Sequence, residues 1–564
     1  MLQICNGNFF FTDKFYETTQ RAPLYTNIII PDQGFDFCIG KALPTSRFLS
    51  ITTIIFEVIE KQPSEHPDGD ASVFISTLGG DIMRDLSYVF SFFFKGVCTT
   101  SYPLAERLLR NDKIPGSWKK AGEYVSNYFK NPQYATQEQI DDFCIFINKL
   151  INSPREKYEK SIKAISQFVV AINRIADDLD ASYTLFVASI ESLSQDMAEG
   201  DTDWPDVATS KRQSLDKILN KLEHSTANLI RNEIVKHEHL ALSRKFVLAS
   251  VNSLGKDFFN SEGKDYKTCG KSAIQIAIKN AYNLRSKYVH TLKPLPSEIS
   301  YPHNLDYCVD IDGKPNLTLN GLSSVAREVI LKFVKDMPSI NEKEEIDYMK
   351  FIPGIMFARL SETLWMGNTA SLGSDNYLLI LDAILNRIEV LLTNGKADIP
   401  NMTEVINEVG HRLASENNEE NILLMLSIVI TLSNYTKYKM DEKFIKNYKK
   451  HEQKLSKENI YTLLLHTLCN LEINNADLFL LSFESYLETK YHKKKLRLSE
   501  FYESLLCAKL ANEFYSAGEY EKTDALLNHI ELNTPNSVVK SYHFNEKGEH
   551  RFEIQRYLTL TNKE

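Results

Sequence analysis

The chain has 564 residues, 43% hydrophobic and 25% charged, with a net charge of −9. That length is too great for one core and predicts three or four domains. The balance is that of a soluble globular protein and excludes a general nucleic-acid coat, although a local basic pocket suffices to hold a few phosphates.

Residues 1–105 read as mixed α/β. Asn27-Ile28-Ile29-Ile30 and Ser72-Val73-Phe74-Ile75-Ser76 are short β-branched or aromatic runs bounded by turn residues, which suits strands. Gly79-Gly80 then precedes a helix from Ile82 to Phe94. A strand, a glycine pair and a helix can cradle a phosphate. With no Lys-Ser/Thr ending and no third spaced Gly, a plain turn is the favoured reading. Residues 106–180 form a helical connector, with three- and four-residue apolar spacing over Gln137 to Leu150 and Tyr158 to Leu179, separated by Pro154.

Residues 181–335 read as a central helical bundle. Tyr183 to Leu193 is an apolar helix carrying Glu191, and Asp203-Trp204-Pro205-Asp206 breaks the chain. Helices are expected from Ser210 to Lys236 and from His239 to Phe258, followed by a loop bracketed by Gly263 and Gly270. Ser272 to Thr291 is the next helix, with an apolar stripe of Ile274, Ala277, Ala281, Leu284 and Tyr288. Tyr307 to Leu319, around Asp312-Gly313, predicts a β-hairpin, and Ser323 to Val334 a closing helix. Residues 336–564 predict a C-terminal helical-hairpin array, with helices at Tyr377 to Leu392, Ile422 to Leu432, Ile460 to Leu471 and Phe501 to Tyr515. The fold class is therefore mainly α with an N-terminal mixed α/β region.

The eight cysteines are Cys5, Cys38, Cys98, Cys144, Cys269, Cys308, Cys469 and Cys507. None forms a C-x2-C pair, so reduced, buried thiols in a cytoplasmic protein are expected, not a disulfide frame or a zinc site. Met1-Leu2-Gln3-Ile4-Cys5 lacks the pattern of a secretory signal. The longest apolar run, Ile422 to Leu432, is too short to span a bilayer and reads as a core helix.

The chemistry-bearing segment is Asn283-Leu284-Arg285-Ser286-Lys287-Tyr288-Val289-His290, which closes a helix ahead of Pro294 and Pro296. Arg binds phosphate through a fixed, always-charged fork. His exchanges protons near neutral pH. Together they can cut RNA without a metal. The bland alternative is an exposed cation and a His favoured at a helix C-terminus by the dipole. Arg231 and His237 form a second, looser pair on an earlier helix and read as a decoy. Two basic groups, Lys437 to Lys450 and Lys490 to Arg497, could guide RNA, but a solvated helix face is the favoured reading.

The string Leu284-Arg285-Ser286-Lys287-x-x-His290 resembles the end of the catalytic helix in HEPN domains of the Apea-like branch. Ser182 to Leu193, with its Ile190-Glu191-x-Leu193 core, resembles the opening helix of that branch, and Val325 to Leu331 its closing helix. One departure is Thr291, where this branch often has Gly. The resemblance implies a metal-independent endoribonuclease leaving 2′,3′-cyclic phosphate and 5′-hydroxyl ends, with no cofactor. Arg285 would hold the phosphate and His290 would transfer protons. Glu191 would orient Arg285, or else be an exposed helix-surface acid. Ser286 and Asn283 would support the site or face solvent, and Lys287 would be surface. The resemblance also implies a homodimer or higher even-numbered assembly, an RNA substrate such as tRNA, and a defence or toxin role triggered by a phage-derived signal or protein partner. The alternative is an inactive HEPN-like scaffold that recruits a partner through its C-terminal helices. There, Leu510, Ala511, Phe514, Gly518, Tyr520, Leu526 and Pro535 resemble one tetratricopeptide repeat, with Thr523 and Ile530 in place of small residues. A helical-hairpin array of no particular family fits equally.

Overall fold

The structure, a computed structural model, describes the chain apart from residues 11, 49–50, 65–78, 110–119, 198–203, 205–206, 208, 238–239, 261–265, 303–304, 341–360, 370–371, 373–375, 395–398, 437–441, 540–553 and 559–564. It is mainly α, with an antiparallel sheet near the N-terminus. The chain divides into two compact units, Met1–Ile355 and Met356–Glu564. No helix among the described residues is long and apolar enough to cross a membrane.

The first unit opens with β1 (Phe15–Thr26), β2 (Ile28–Ile29), β3 (Phe35–Phe37), β4 (Gly40–Phe48) and β5 (Ile51–Pro63). Then come α1 (Gly80–Phe94), β6 (Cys98–Thr99), α2 (Tyr102–Leu109) and β7 (Gln133–Tyr134). The sheet order is β3-β4-β5-β1-β6, and β2 pairs separately with β7. Strand β5 alternates, burying Ile54, Phe56 and Val58, as a one-faced strand should. The long β1 is harder to read from sequence because it is polar and carries Pro23, which sits opposite Ile55 of β5. The expected strand at Asn27–Ile30 is only two residues long, since the Asn27 side chain donates to the Tyr128 and Lys130 carbonyls. The expected strand at Ser72–Ser76 lies outside the described residues.

Helix α3 (Gln137–Ile151) starts with a capping box from Thr136 and Gln139, and α4 (Arg155–Arg174) follows Pro154. Next are α5 (Leu179–Met197), α6 (Thr209–Leu219), α7 (His224–His237), α8 (Leu240–Ser253), α9 (Lys256–Phe259) and α10 (Lys271–Thr291). The unit closes with β8 (Cys308–Ile311), β9 (Lys314–Leu317) and α11 (Leu319–Asp336). The single helix expected over Ser210–Lys236 is thus two, α6 and α7, broken at 220–223, and that expected over His239–Phe258 is interrupted at Leu254-Gly255. The predicted hairpin is β8–β9. Its turn holds Asp312 at φ 53° and Gly313 at φ 74°, the left-handed pair that a two-residue hairpin turn requires.

The expected boundaries at 105 and 180 do not divide the packing. One continuous core runs from Leu2 to Met337. Phe168 of α4 joins Phe92 of α1 (5.2 Å between centroids) to Phe186 of α5 (5.3 Å). Arg327 of α11 donates to the carbonyls of Phe92 and Phe93 at the end of α1, satisfying acceptors that a helix terminus leaves orphaned. Sheet, connector and bundle therefore form one unit.

The second unit contains α12 (Glu362–Trp365), α13 (Tyr377–Asn394), α14 (Thr403–Leu413), α15 (Glu419–Tyr435) and α16 (Glu442–His451). These are followed by α17 (Ile460–Leu468), α18 (Ala476–Thr489), α19 (Glu500–Ser516) and α20 (Tyr520–Asn533). The apolar run Ile422–Leu432 lies in α15, which is buried around most of its circumference. The repeat-like segment is the α19–α20 hairpin, turned by Gly518 at φ 80°.

His529 of α20 packs edge-on against Phe483, and its Nε2 is buried without a hydrogen bond. Burial holds this imidazole below its ordinary value, although Glu503 pulls the other way. As pH falls through the unfolded-state value near 6.5, the unfolded chain takes up this proton first, so stability falls with pH there. Wild type is expected to lose more of its melting temperature between pH 7.5 and pH 5.5 than His529→Gln; equal slopes would refute this.

Candidate functional site

Helix α10 is built to lie close to its neighbours. Ile274, Ala277, Ile278 and Ala281 form its buried stripe, and the small alanines let it pack against α5 and α8. Asn280 Nδ2 donates to the Pro315 carbonyl (2.9 Å), which fixes the β8–β9 hairpin on α10. At the head of the helix, Cys269 and Cys308 form a disulfide, with Cα atoms 6.3 Å apart. This corrects the expectation of reduced thiols throughout. The hairpin returns β8 over the start of α10, a juxtaposition that a 39-residue separation does not reveal. Cys38 is exposed, which also departs from the expectation, whereas Cys5, Cys98 and Cys507 are buried.

Arg285 and Glu191 are brought together. Arg285 Nη2 lies 3.1 Å from Glu191 Oε2, with the two side chains 25% and 21% exposed. The other carboxylate oxygen accepts from the Tyr282 hydroxyl (3.3 Å). Tyr282 is the participant that sequence reasoning missed. The available signal was its position three residues before Arg285, which puts both on one side of the helix. Phe246 of α8 packs on the Tyr282 ring at 5.1 Å. Burial, and then the neighbouring Glu191 carboxylate, push the Tyr282 hydroxyl above its ordinary value, so it stays a neutral donor. Guanidinium has five N–H donors; Nε of Arg285 is buried with no acceptor.

His290 is exposed in the last turn of α10. The helix is unbroken through Thr291. Residues five apart on a helix diverge by roughly 140°. Arg285 thus turns toward α5 while His290 turns to solvent, and one chain does not bring the two together. The helix does not end between them, as a single-chain site would need. Asn283 and Lys287 share the exposed side with His290, and Ser286 is half-buried.

The Thr291 departure has a structural consequence. Thr291 stays helical, its hydroxyl donating to the Lys287 carbonyl (2.6 Å). The left-handed cap passes to Leu292, at φ 53°. The chain leaving the helix is tethered by the Leu295 amide to Asp180 Oδ1 (2.6 Å) at the start of α5.

Of the second pair, Arg231 has another role. Arg231 is engaged with Asp216 (2.9 Å) and lies over Trp204 (5.6 Å), holding α7 against α6. The basic group 490–497 is not a helix face: α18 ends at Thr489, and these residues form the following loop. In the first group, Lys446, Lys449 and Lys450 are exposed on α16, and Lys437 and Lys439 lie outside the described residues. Compared with known proteins, the chain matches no family model, no curated protein and no solved structure.

Proposed function

We propose that this protein is a metal-independent endoribonuclease of the HEPN type, acting through Arg285 and His290 in a cytoplasmic, defence-related or toxin role. The observation that carries the reading is the Glu191–Arg285 ion pair. It holds a guanidinium in place on the helix whose last turn carries His290, and the Arg285 side chain stays 25% exposed beside it. Charge-assisted bonds of this kind are stronger than neutral ones and stabilise developing negative charge.

In the reaction, His290 takes the proton from a ribose 2′-hydroxyl. The 2′-oxygen bonds to phosphorus, the bond to the 5′-oxygen breaks, and protonated His290 returns the proton to that oxygen as it leaves. Arg285 neutralises the phosphorane. Because the two groups diverge on one helix, the working site pairs Arg285 of one subunit with His290 of another, which needs an oligomer, and the family resemblance makes it a homodimer or even-numbered assembly. That same divergence favours the second reading, an inactive scaffold, in which His290 is only a helix-terminal cation.

The test is cleavage of end-labelled total RNA and tRNA in EDTA, with end-group analysis. Cyclic-phosphate ends from wild type, in both purified protein and phage-challenged cells, support the reading; intact RNA in both settings would overturn it. Glu191→Gln is expected to lower kcat about 10- to 100-fold with little change in KM, by analogy with the loss seen when an orienting partner is removed. Unchanged kcat would make the ion pair purely structural.

A further inference from the structure

The loop after α18 reads Lys490-Tyr491-His492-Lys493-Lys494-Lys495-Leu496-Arg497-Leu498, with no acidic residue. Lys490 and Lys495 are committed to structure. Lys490 is paired with buried Glu503 at 2.7 Å, and Lys495 with Glu420 at 3.1 Å. Leu496 and Leu498 are buried, and the Leu498 amide donates to the Tyr486 hydroxyl (3.0 Å), so the loop is pinned at its base. His492, Lys493, Lys494 and Arg497 face solvent. Between them Tyr491 stands 70% exposed. The Arg497 guanidinium lies 4.9 Å from the centre of its ring, and Lys490 Nζ 5.3 Å.

Exposing a large ring on a pinned, highly charged loop does nothing for the core. An aromatic face beside clustered cations is the arrangement by which proteins hold unpaired nucleic-acid strands: the cations track phosphates and the ring stacks a base. A second feature adjoins it. Lys495 and its partner Glu420 also line a cavity of about 540 Å³ beside α17 and α18, together with Glu458, Leu478, Leu481 and Ser485. Leucine walls suit the flat face of a base, and the carboxylates, which would repel a phosphate, can accept from a base's amino edge. An acidic peptide would be drawn by the cations but would gain little from a ring held on its own by them.

We infer that the 490–497 loop and the adjoining α17–α18 cavity form a docking site for single-stranded RNA, separate from the residues that would cut it. This deepens the ribonuclease reading and rests on it for the choice of RNA. Phosphates engage Lys493, Lys494 and Arg497, one base stacks on Tyr491, and a neighbouring base enters the cavity.

The test uses the full-length protein and a fluorescein-labelled single-stranded 2′-O-methyl oligoribonucleotide, followed by fluorescence anisotropy over a salt series. This probe lacks the attacking hydroxyl, so binding is read independently of cleavage. Tyr491→Ala is expected to weaken binding roughly tenfold, whereas Tyr491→Phe retains it. Lys493→Glu/Lys494→Glu is expected to weaken binding further and to flatten the slope of log affinity against log salt by about 1.4. Lys449→Glu/Lys450→Glu on α16, the same charge change elsewhere in this unit, is expected to bind as wild type. Absence of binding by wild type, unaltered binding by Tyr491→Ala and the Lys493/Lys494 variant, or equal weakening by the α16 control would each overturn the assignment. Binding lost in the loop variants with no RNA cut by wild type would instead leave the docking site standing and remove the nuclease reading.

Discussion

His290→Ala is expected to lower RNA cleavage by about 10²–10⁴-fold, the range for removing a positioned proton-transfer group, with little change in melting temperature. His290 is exposed in the last turn of α10 and no side-chain hydrogen bond ties it to another described residue, so its loss costs the fold little. Arg285→Ala is expected to remove activity as fully but to cost some stability, since it strands the Glu191 carboxylate with Tyr282 alone. Arg285→Lys is not a rescue, because an ammonium cannot present the planar fork. Divergence of the two side chains adds a sharper expectation. Arg285→Ala and His290→Ala proteins, each inactive alone, regain part of the activity when unfolded together and reassembled, because each supplies the group the other lacks. Activity unaffected by His290→Ala would sink the site. Failure of the mixture, with both variants shown to exchange subunits, would sink the shared site.

The largest effect on stability is expected at Glu503 of α19. Its carboxylate is 4% exposed and accepts from Lys490 at 2.7 and 2.9 Å and from the Tyr486 hydroxyl at 2.6 Å. Burial, reinforced by the bond to Glu503, pushes the Tyr486 hydroxyl well above its ordinary value. Removing one member of such a network leaves a desolvated cation without an anion, which costs about 3–5 kcal/mol. Glu503→Ala is expected to lower the urea midpoint of this unit accordingly. Replacing both ends, Lys490→Met with Glu503→Leu, is expected to recover much of the loss, since an apolar pair of similar volume avoids the desolvation cost. A loss under about 1 kcal/mol in the single variant, the size of an exposed pair, would refute the account. Because Lys490 starts the basic loop, Glu503→Ala also tests whether that loop keeps its shape when its base is loosened.

The parts of this protein legible in the sequence are those set by local periodicity and turn chemistry. Helices α3, α10, α15 and α19 lie where three- and four-residue apolar spacing puts them, because an amphipathic stripe is visible within each segment, whereas the helix expected to run to Leu179 ends at Arg174 and Leu179 opens α5. The β8–β9 hairpin follows from Asp312-Gly313, whose left-handed backbone needs no distant partner. The break between α6 and α7 and the long polar strand β1 were not legible. One depends on Arg231 closing onto Asp216 and Trp204, the other on a neighbouring strand.

The sequence by itself also determined which residues carry the candidate chemistry, since Arg and His are reactive or charged whatever surrounds them. Only the tertiary structure decided how they are held. Glu191 meets Arg285 because α5 packs on α10, Cys269 meets Cys308 because a hairpin folds back over a helix, and the main core reaches from Leu2 to Met337 because Phe168 bridges helices on either side. The exposure of Tyr491 and the partial burial of Lys490, side by side in one basic run, were likewise settled by packing. Each of these depends on contacts between segments far apart in the chain. Spacing along the chain encodes the direction of a side chain around its own helix, but not what the fold brings to meet it.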